Sequence, residues 1–133
     1  DEQLQDAYHT LGVNAPGRTG DYTTNVHLYS SFFRILYNAT YLSPKRSEEI
    51  LQTLAKSTFR QGLVAGVPSM VTVSHKFGER ALGAYPAVQL HDCGIIYHPD
   101  RPYLLCVMTQ GSDYTELASV IRDISKIVWE SVN

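Results

Sequence analysis

The sequence predicts an α+β domain in which a three-stranded antiparallel meander is covered by a long C-terminal helix. Up to Ser57, apolar residues recur with helical spacing, which predicts two to three helices. After Pro68 the apolar period changes to that of extended strands separated by turn residues. The helical period then returns from Asp113 to the end of the chain. This order of elements gives the fold class.

The first predicted helix is short. Residues 2–11 place Leu4, Ala7, Tyr8 and Leu11 on one face, and Gly12 ends the helix. Residues 14–22 are rich in Gly, Pro, Asn and Asp, which predicts a loop.

Two further helices have clear start signals. Thr23 or Thr24 is the predicted N-cap of the second helix, which ends near Asn38. Ser43 followed by Pro44 marks the start of the third helix. Their apolar stripes are Val26, Tyr29, Phe33 and Leu36, and then Ile50, Leu51 and Leu54.

Three strands are predicted after a loop at residues 62–68. They cover residues 70–73, 87–97 and 103–109, and the second and third are joined by a tight turn at residues 98–102. Lys76 and Gly78 therefore stand just past the end of the first predicted strand.

The last predicted helix is capped by Ser112 or Asp113. Its apolar stripe runs on to Trp129 and consists of Leu117, Val120, Ile121, Ile124, Ile127 and Val128. No linker divides the sequence, so we expect one domain over residues 1–133.

Composition excludes several classes of partner and ligand. The net charge of −2 and the pI near 6.2 give no electrostatic reason to expect nucleic acid, and no apolar run reaches membrane-spanning length. No pair of His or Cys shows metal-ligand spacing, so we expect no metal and no cofactor. The chain begins at Asp1 without a methionine or a leader, so we expect it to be processed, trimmed or part of a longer protein.

The two cysteines, Cys93 and Cys106, fall on the two arms of the predicted hairpin. A turn centred near Asp100 places them opposite each other or one residue out of register. Both a cross-strand disulfide and two buried free thiols fit this pattern, and we expect the free thiols.

Three blocks of this sequence, in this order, resemble the penicillin-recognising serine hydrolases, which comprise the β-lactamases and the peptidoglycan D,D-peptidases and transpeptidases. The first block joins Tyr22-Thr23-Thr24 to residues 36–43. The second is Val73-Ser74-His75-Lys76-Phe77-Gly78-Glu79, in which Lys76-Phe77-Gly78 is similar to the Lys-Thr/Ser-Gly box of this family. The third pairs residues 91–97 with residues 102–109.

The resemblance implies roles for four residues. Lys76 would supply the cation for a substrate carboxylate, and Gly78 would let the substrate backbone lie against the strand. The backbone amide of Glu79 would be one oxyanion donor, while Phe77 would border the substrate. His91 and Asp92 head the second predicted strand, so we expect one of them at the rim of the cleft, and we name His91 as the substrate-binding residue. Alternation directs His75 to the opposite strand face from Lys76, so we expect it to be a packed core residue.

The family pattern is incomplete in this chain. No Ser-x-x-Lys occurs in the 133 residues, and the family's Ser-x-Asn box is not found ahead of Lys76. The loop from Gly12 to Thr23 contains no glutamate that could activate a deacylating water, and its one acid is Asp21. The resemblance therefore implies the C-terminal part of a larger extracytoplasmic hydrolase domain, inactive alone, whose nucleophile lies outside this chain.

The resemblance also implies a partner and leaves two alternatives. The family sheet draws further strands from the region upstream, so the strand at residues 103–109 is left as an open edge. We expect an N-terminal segment, a second chain or a further copy of this chain to pair with it. The substrate would be a β-lactam or a cell-wall peptide. The alternatives are a non-catalytic binding or assembly domain that retains this fold, and an unrelated α+β domain in which Lys-x-Gly is coincidental.

Overall fold

The computed structural model describes residues 2–13, 24–83 and 87–132. Four α-helices and three strands make up the architecture, and a 3₁₀ helix at Leu63–Gly66 precedes the sheet. In chain order the elements are α1 (Glu2–Thr10), α2 (Val26–Tyr37), α3 (Pro44–Leu54), β1 (Val73–Leu82), β2 (Ala87–Ile96), β3 (Tyr103–Gly111) and α4 (Tyr114–Val132). The predicted α+β class and the long C-terminal helix are confirmed.

The three strands form an antiparallel sheet in the order β1-β2-β3, which is the predicted meander. Helices cover both of its faces. Ile96 belongs to a buried cluster with the 3₁₀ helix and α4, whereas Ile95 belongs to a cluster with α2 and α3. Because successive residues of a strand point to opposite faces, these two clusters lie on opposite sides of the sheet.

Caps define the helix starts. Asn25, rather than Thr23 or Thr24, caps α2, because its side-chain oxygen accepts the Leu28 N–H at 2.9 Å. Thr23 and the predicted loop at residues 14–22, with Asp21, lie outside the described residues. The predicted Ser43 cap of α3 is confirmed.

The first strand begins later than predicted. Met70 is 90% exposed and lies in a turn that the Val71 N–H closes by donating to the Pro68 carbonyl at 2.9 Å. Strand pairing then runs from Val73 to Leu82. Lys76 and Gly78 are therefore inside β1 and not past its end, because the pairing with β2 continues beyond the apolar, β-branched residues from which the strand was predicted.

The expectation of two free thiols is wrong. Cys93 and Cys106 are direct partners in the β2–β3 register, their Cα atoms are 4.0 Å apart, and their sulfur atoms form a disulfide. Residues that pair directly across two antiparallel strands point to the same face of the sheet, so the two cysteine side chains lie side by side.

The last helix buries only part of its predicted stripe. Asp113 caps α4 by accepting the N–H groups of Thr115 and Glu116. Leu117 and Ile121 are buried, whereas Val120 and Ile127 are 46% and 65% exposed. The stripe is wider than the three-stranded sheet that it covers. No described helix combines the length and apolar character that crossing a membrane requires.

Candidate functional site

A groove of about 730 Å³ opens on the α2 and α3 side of β1. Strand β1 contributes Lys76, Gly78 and Arg80 to it, and β2 contributes His91. Tyr29 of α2 forms part of the facing wall. The structure thus brings together three residues that the sequence singled out, Lys76, Gly78 and His91.

Lys76 is exposed at the outer edge of the sheet. Its ammonium group donates a hydrogen bond to the carbonyl of Phe77 and lies 4.9 Å from the centroid of the Phe77 ring. Both contacts are with the next residue in the chain, so they hold the Lys76 ammonium group close to the edge of β1. An anion that enters the groove beside this edge meets a positive charge.

Gly78 keeps the middle of the groove open. A Cβ atom placed on this residue would have no heavy atom within 4 Å. The backbone of β1 is therefore accessible from the groove at this position, which is where a ligand backbone could approach the strand.

Phe77 and Glu79 lie at the border between two grooves. The Phe77 ring stacks on Phe59, with 4.4 Å between ring centroids, and Phe77 packs against the core cluster on the α4 side. Both residues also line a second groove of about 800 Å³ on that side. The side chain of Glu79 is exposed.

His91 is half-buried in the wall of the Lys76 groove. Its Nδ1 accepts the backbone N–H of Thr109 at 3.3 Å. Burial lowers the pKa of the His91 imidazole, and a hydrogen bond with the Leu90 backbone opposes this shift only in part. The imidazole is therefore neutral at neutral pH and adds no positive charge to the groove.

A buried polar pair lies on the other face of β1. His75 Nδ1 donates to Asp92 Oδ1 at 2.8 Å, and Asp92 Oδ2 accepts the Leu63 N–H at 3.0 Å. Both side chains are fully buried. The predicted core position of His75 is confirmed, while the partnership of Asp92 with it was not predicted. Of the neighbouring pair His91 and Asp92, His91 is the one that lines the groove.

Arg80 was not predicted as a site residue. Alternation from Lys76 through Gly78 places Arg80 on the same strand face, and the structure puts it in the same groove. The signal was present in the sequence, but it required β1 to extend beyond Gly78. Among the described residues, no group of three or more His, Cys, Asp or Glu side chains is arranged to hold a metal.

A family model described as the beta-lactamase enzyme family matches residues 2–132. The chain belongs to this family. A search of curated protein sequences finds no match.

Solved structures share the fold of this β-lactamase family member at low sequence identity. A variant of the TLA-1 extended-spectrum β-lactamase superposes with a TM-score of 0.84 at 19% identity, over 98% of this chain and 54% of that chain. For the structure of PBP-A the TM-score is 0.77 at 19% identity, over 98% and 51%. For the C-terminal domain of the Bacillus licheniformis BlaR penicillin receptor the TM-score is 0.68 at 10% identity, over 100% of this chain and 54% of that chain. The chain spans about half the length of each of these structures.

The β-lactamase family assignment agrees with the resemblance that rested on three sequence blocks. It establishes an acyl-serine hydrolase-like domain as the fold of this chain. Phe77 stands where the family's Lys-Thr/Ser-Gly pattern has a residue with a hydroxyl group. In the structure the Phe77 ring is stacked on Phe59.

Proposed function

We propose that this chain is the C-terminal part of an acyl-serine hydrolase domain that acts on a β-lactam or a cell-wall peptide. It would supply the substrate-binding strand, while the nucleophilic serine lies outside the 133 residues. The observation that carries this proposal is the placement of Lys76, Gly78 and His91 around one groove beside an edge strand of the sheet.

Each residue has a role that follows from its position. The Lys76 ammonium binds the carboxylate of the substrate, since it is an exposed cation at the edge of the groove. The open space at Gly78 admits the substrate backbone, which pairs with β1 as an added strand. The backbone N–H of Glu79 then donates to the oxyanion that forms when the serine attacks the substrate carbonyl.

The β3 edge of the sheet, opposite β1, supports the proposal that a partner strand is missing. Strand β3 pairs with β2 on one side and with no other described strand. Leu104 of β3 and, on α4, Val120 and Ile127 are exposed apolar side chains, and the Tyr103 hydroxyl is buried without a hydrogen-bond partner among the described residues. A polypeptide that adds a strand to β3 and covers α4 would bury these groups.

An upstream segment of the same gene product is the partner that we propose. The matched solved structures contain about twice the length of this chain, so a segment of similar size is available in them to complete the fold. Helix α1 fits the same proposal, because it has an apolar stripe and yet buries none of its residues in the described structure. A separate second chain is the alternative source.

The departures from the family pattern limit the proposed chemistry. Phe77 has no hydroxyl with which to donate to a substrate carboxylate, and residues 12–23 contain no glutamate to activate a deacylating water. We therefore expect slow deacylation, as in a penicillin-binding peptidase, rather than efficient β-lactam turnover. By analogy with this family the protein would work outside the cytoplasm.

A second candidate function is a non-catalytic binding or assembly domain. The Phe59–Phe77 stack favours it, because this stack fills the position of the expected hydroxyl with an aromatic pair. Such a domain would keep the groove and lose the acylation chemistry.

Two experiments test the proposal. Nitrocefin hydrolysis and fluorescent-penicillin labelling should both be absent for the 133-residue chain, and covalent labelling of a serine within it would contradict the proposal. Reading the gene upstream of Asp1 should reveal a Ser-x-x-Lys within about 150 residues, which is one domain length. If no such motif precedes the chain, the non-catalytic domain becomes the better assignment.

A further inference from the structure

The ammonium group of Lys76 lies beside an aromatic ring from the opposite face of β1. Alternation directs the side chains of Lys76 and Phe77 to opposite faces of the strand. Because β1 is an edge strand, the Lys76 side chain can bend around it, and its ammonium group lies 4.9 Å from the centroid of the Phe77 ring. A cation and an aromatic ring are therefore neighbours at the border of the Lys76 groove.

The Phe77 ring is held in place by a second ring. It stacks on Phe59 with 4.4 Å between the centroids and 21° between the ring planes, and both residues pack against the buried cluster on the α4 side. Neither residue is fully buried, so part of the ring pair is accessible. Phe77 lines both grooves, and Phe59 lines the groove on the α4 side. The pair is a fixed apolar surface that continues the Lys76 groove around the edge of β1.

This surface suits a ligand that carries a ring next to its carboxylate. An aromatic pair offers no hydrogen bond to a carboxylate, but it binds a further ring through stacking or edge-to-face contact. In an aromatic amino acid, only the Cα and Cβ atoms separate the carboxylate from the ring. This short spacing matches the closeness of the Lys76 ammonium group to the Phe77 ring.

We infer that the site prefers acyl-peptides whose terminal, carboxylate-bearing residue is aromatic. This inference rests on the proposed function, and it adds the class of terminal residue. The carboxylate pairs with Lys76, and the ring of the same residue contacts the Phe59–Phe77 pair. Phe59 and Phe77 are then specificity-determining residues.

Three dipeptides test the inference, with binding to the 133-residue chain measured by isothermal titration calorimetry. The reference is N-acetyl-D-Ala-D-Ala, which has the D,D-dipeptide form of the proposed substrate class. The aromatic probe is N-acetyl-D-Ala-D-Phe. Its matched control is N-acetyl-D-Ala-D-cyclohexylalanine, which has the same carboxylate and a ring of similar apolar size but no π system.

The aromatic probe should bind about threefold to tenfold more tightly than the cyclohexyl control, which is the strength of an aromatic pair beyond its buried area. Phe77→Leu and Phe59→Leu keep an apolar side chain and remove the ring pair, so each should bring the ratio of the two affinities close to one. Tyr41→Leu removes an aromatic ring that is 46% exposed between α2 and α3 and lines neither groove, and it should leave the ratio unchanged. If Phe77→Leu does not fold, Phe59→Leu gives the same comparison, because it removes the other ring of the pair.

The outcomes separate this inference from the proposed function. If the aromatic and cyclohexyl probes bind equally and Lys76→Gln weakens all three dipeptides, the aromatic preference is wrong and the peptide groove stands. A ratio that persists in both leucine variants also overturns the inference, since the ring pair is then not the surface that recognises the probe. If none of the three dipeptides binds, the proposed function fails together with the inference.

Discussion

The two faces of strand β1 differ in how completely the protein fills them. On the α4 side, His75 and Asp92 form a fully buried pair anchored by the Leu63 N–H. On the other side, Lys76 is exposed and Gly78 borders open space. Because adjacent residues point to opposite faces, one strand separates a stabilising contact from the groove that we propose as the binding surface. Substitutions on the first face should change the free energy of unfolding, and those on the second should change binding.

The largest effect is expected for Asp92→Ala. This variant removes the acceptor for both His75 Nδ1 and the Leu63 N–H, and it leaves two polar groups buried without partners. We expect a loss of about 3–5 kcal/mol in the free energy of unfolding. Urea denaturation measures it.

The matched control is Lys76→Ala, one residue from His75 but on the open face. It should change the unfolding free energy by less than about 0.5 kcal/mol, as is usual for exposed positions. Equal losses in the two variants would contradict the distinction between the faces.

The disulfide gives the next largest effect. Cys93 is the register partner of both Lys76 in β1 and Cys106 in β3, so the bond lies on the groove side of the sheet, one strand inward from the cation. It closes a loop with a sequence separation of 13 residues. Loss of a bond of this loop length should cost about 3 kcal/mol in the chain-entropy account.

Replacing both cysteines by alanine tests this prediction. The unfolding midpoint of the wild type should fall when a reductant is added, whereas that of the double variant should not respond. If the unfolding midpoint of the wild type does not change when reductant is added under denaturing conditions, the Cys93–Cys106 disulfide is contradicted.

Two glycines extend the comparison. A Cβ atom at Gly94 would lie 2.5 Å from His75 Cβ and 2.6 Å from the Ser74 carbonyl oxygen, whereas one at Gly78 would meet nothing within 4 Å. Gly94→Ala should therefore destabilise the fold by about 1–3 kcal/mol through overpacking. Gly78→Ala should leave stability within about 0.5 kcal/mol of the wild type.

Ligand binding should give the reverse order for these two variants. Gly78→Ala narrows the groove beside β1 and should weaken binding of a peptide that ends in D-Ala-D-Ala, measured by isothermal titration calorimetry. The loss of stability in Gly94→Ala is measured by thermal unfolding. If Gly78→Ala unfolds as readily as Gly94→Ala, the face of Gly78 is not open.

Much of the fold could be predicted from the sequence because local signals agree with each other. Ser43-Pro44 fixes the start of α3, and the change of apolar period separates helices from strands. The errors fall where tertiary contacts decide. Asn25 rather than Thr24 caps α2, because the helix begins at Val26. Ile127 has the right period for a core residue but extends past the sheet that would cover it.

The site could be predicted only in part. Motif resemblance and alternation placed Lys76 on one face of a strand and His75 on the other. Arg80 was missed because β1 was expected to end before it, and strand pairing beyond the apolar residues is set by β2. The free-thiol expectation for Cys93 failed for a related reason, since register to a single residue decides whether two sulfurs meet.

The smallest effect concerns His91, the titratable residue of the open face whose pKa is lowered by burial from its usual value near 6.5. As the pH falls below 6.5, the unfolded chain takes up this proton before the native protein does, so the unfolded state binds more protons and native stability declines. Above pH 7.5, where both states are neutral at this position, His91 contributes nothing to the pH dependence. His91→Gln should therefore lose less stability than the wild type between pH 6.5 and pH 5, measured by urea denaturation at each pH. His27→Gln is the matched control, because it removes an exposed histidine from α2 and leaves the wall of the groove unchanged. If His91→Gln follows the wild-type profile, protonation of the His91 imidazole does not oppose folding. Water then reaches the imidazole more freely than its half-buried position indicates.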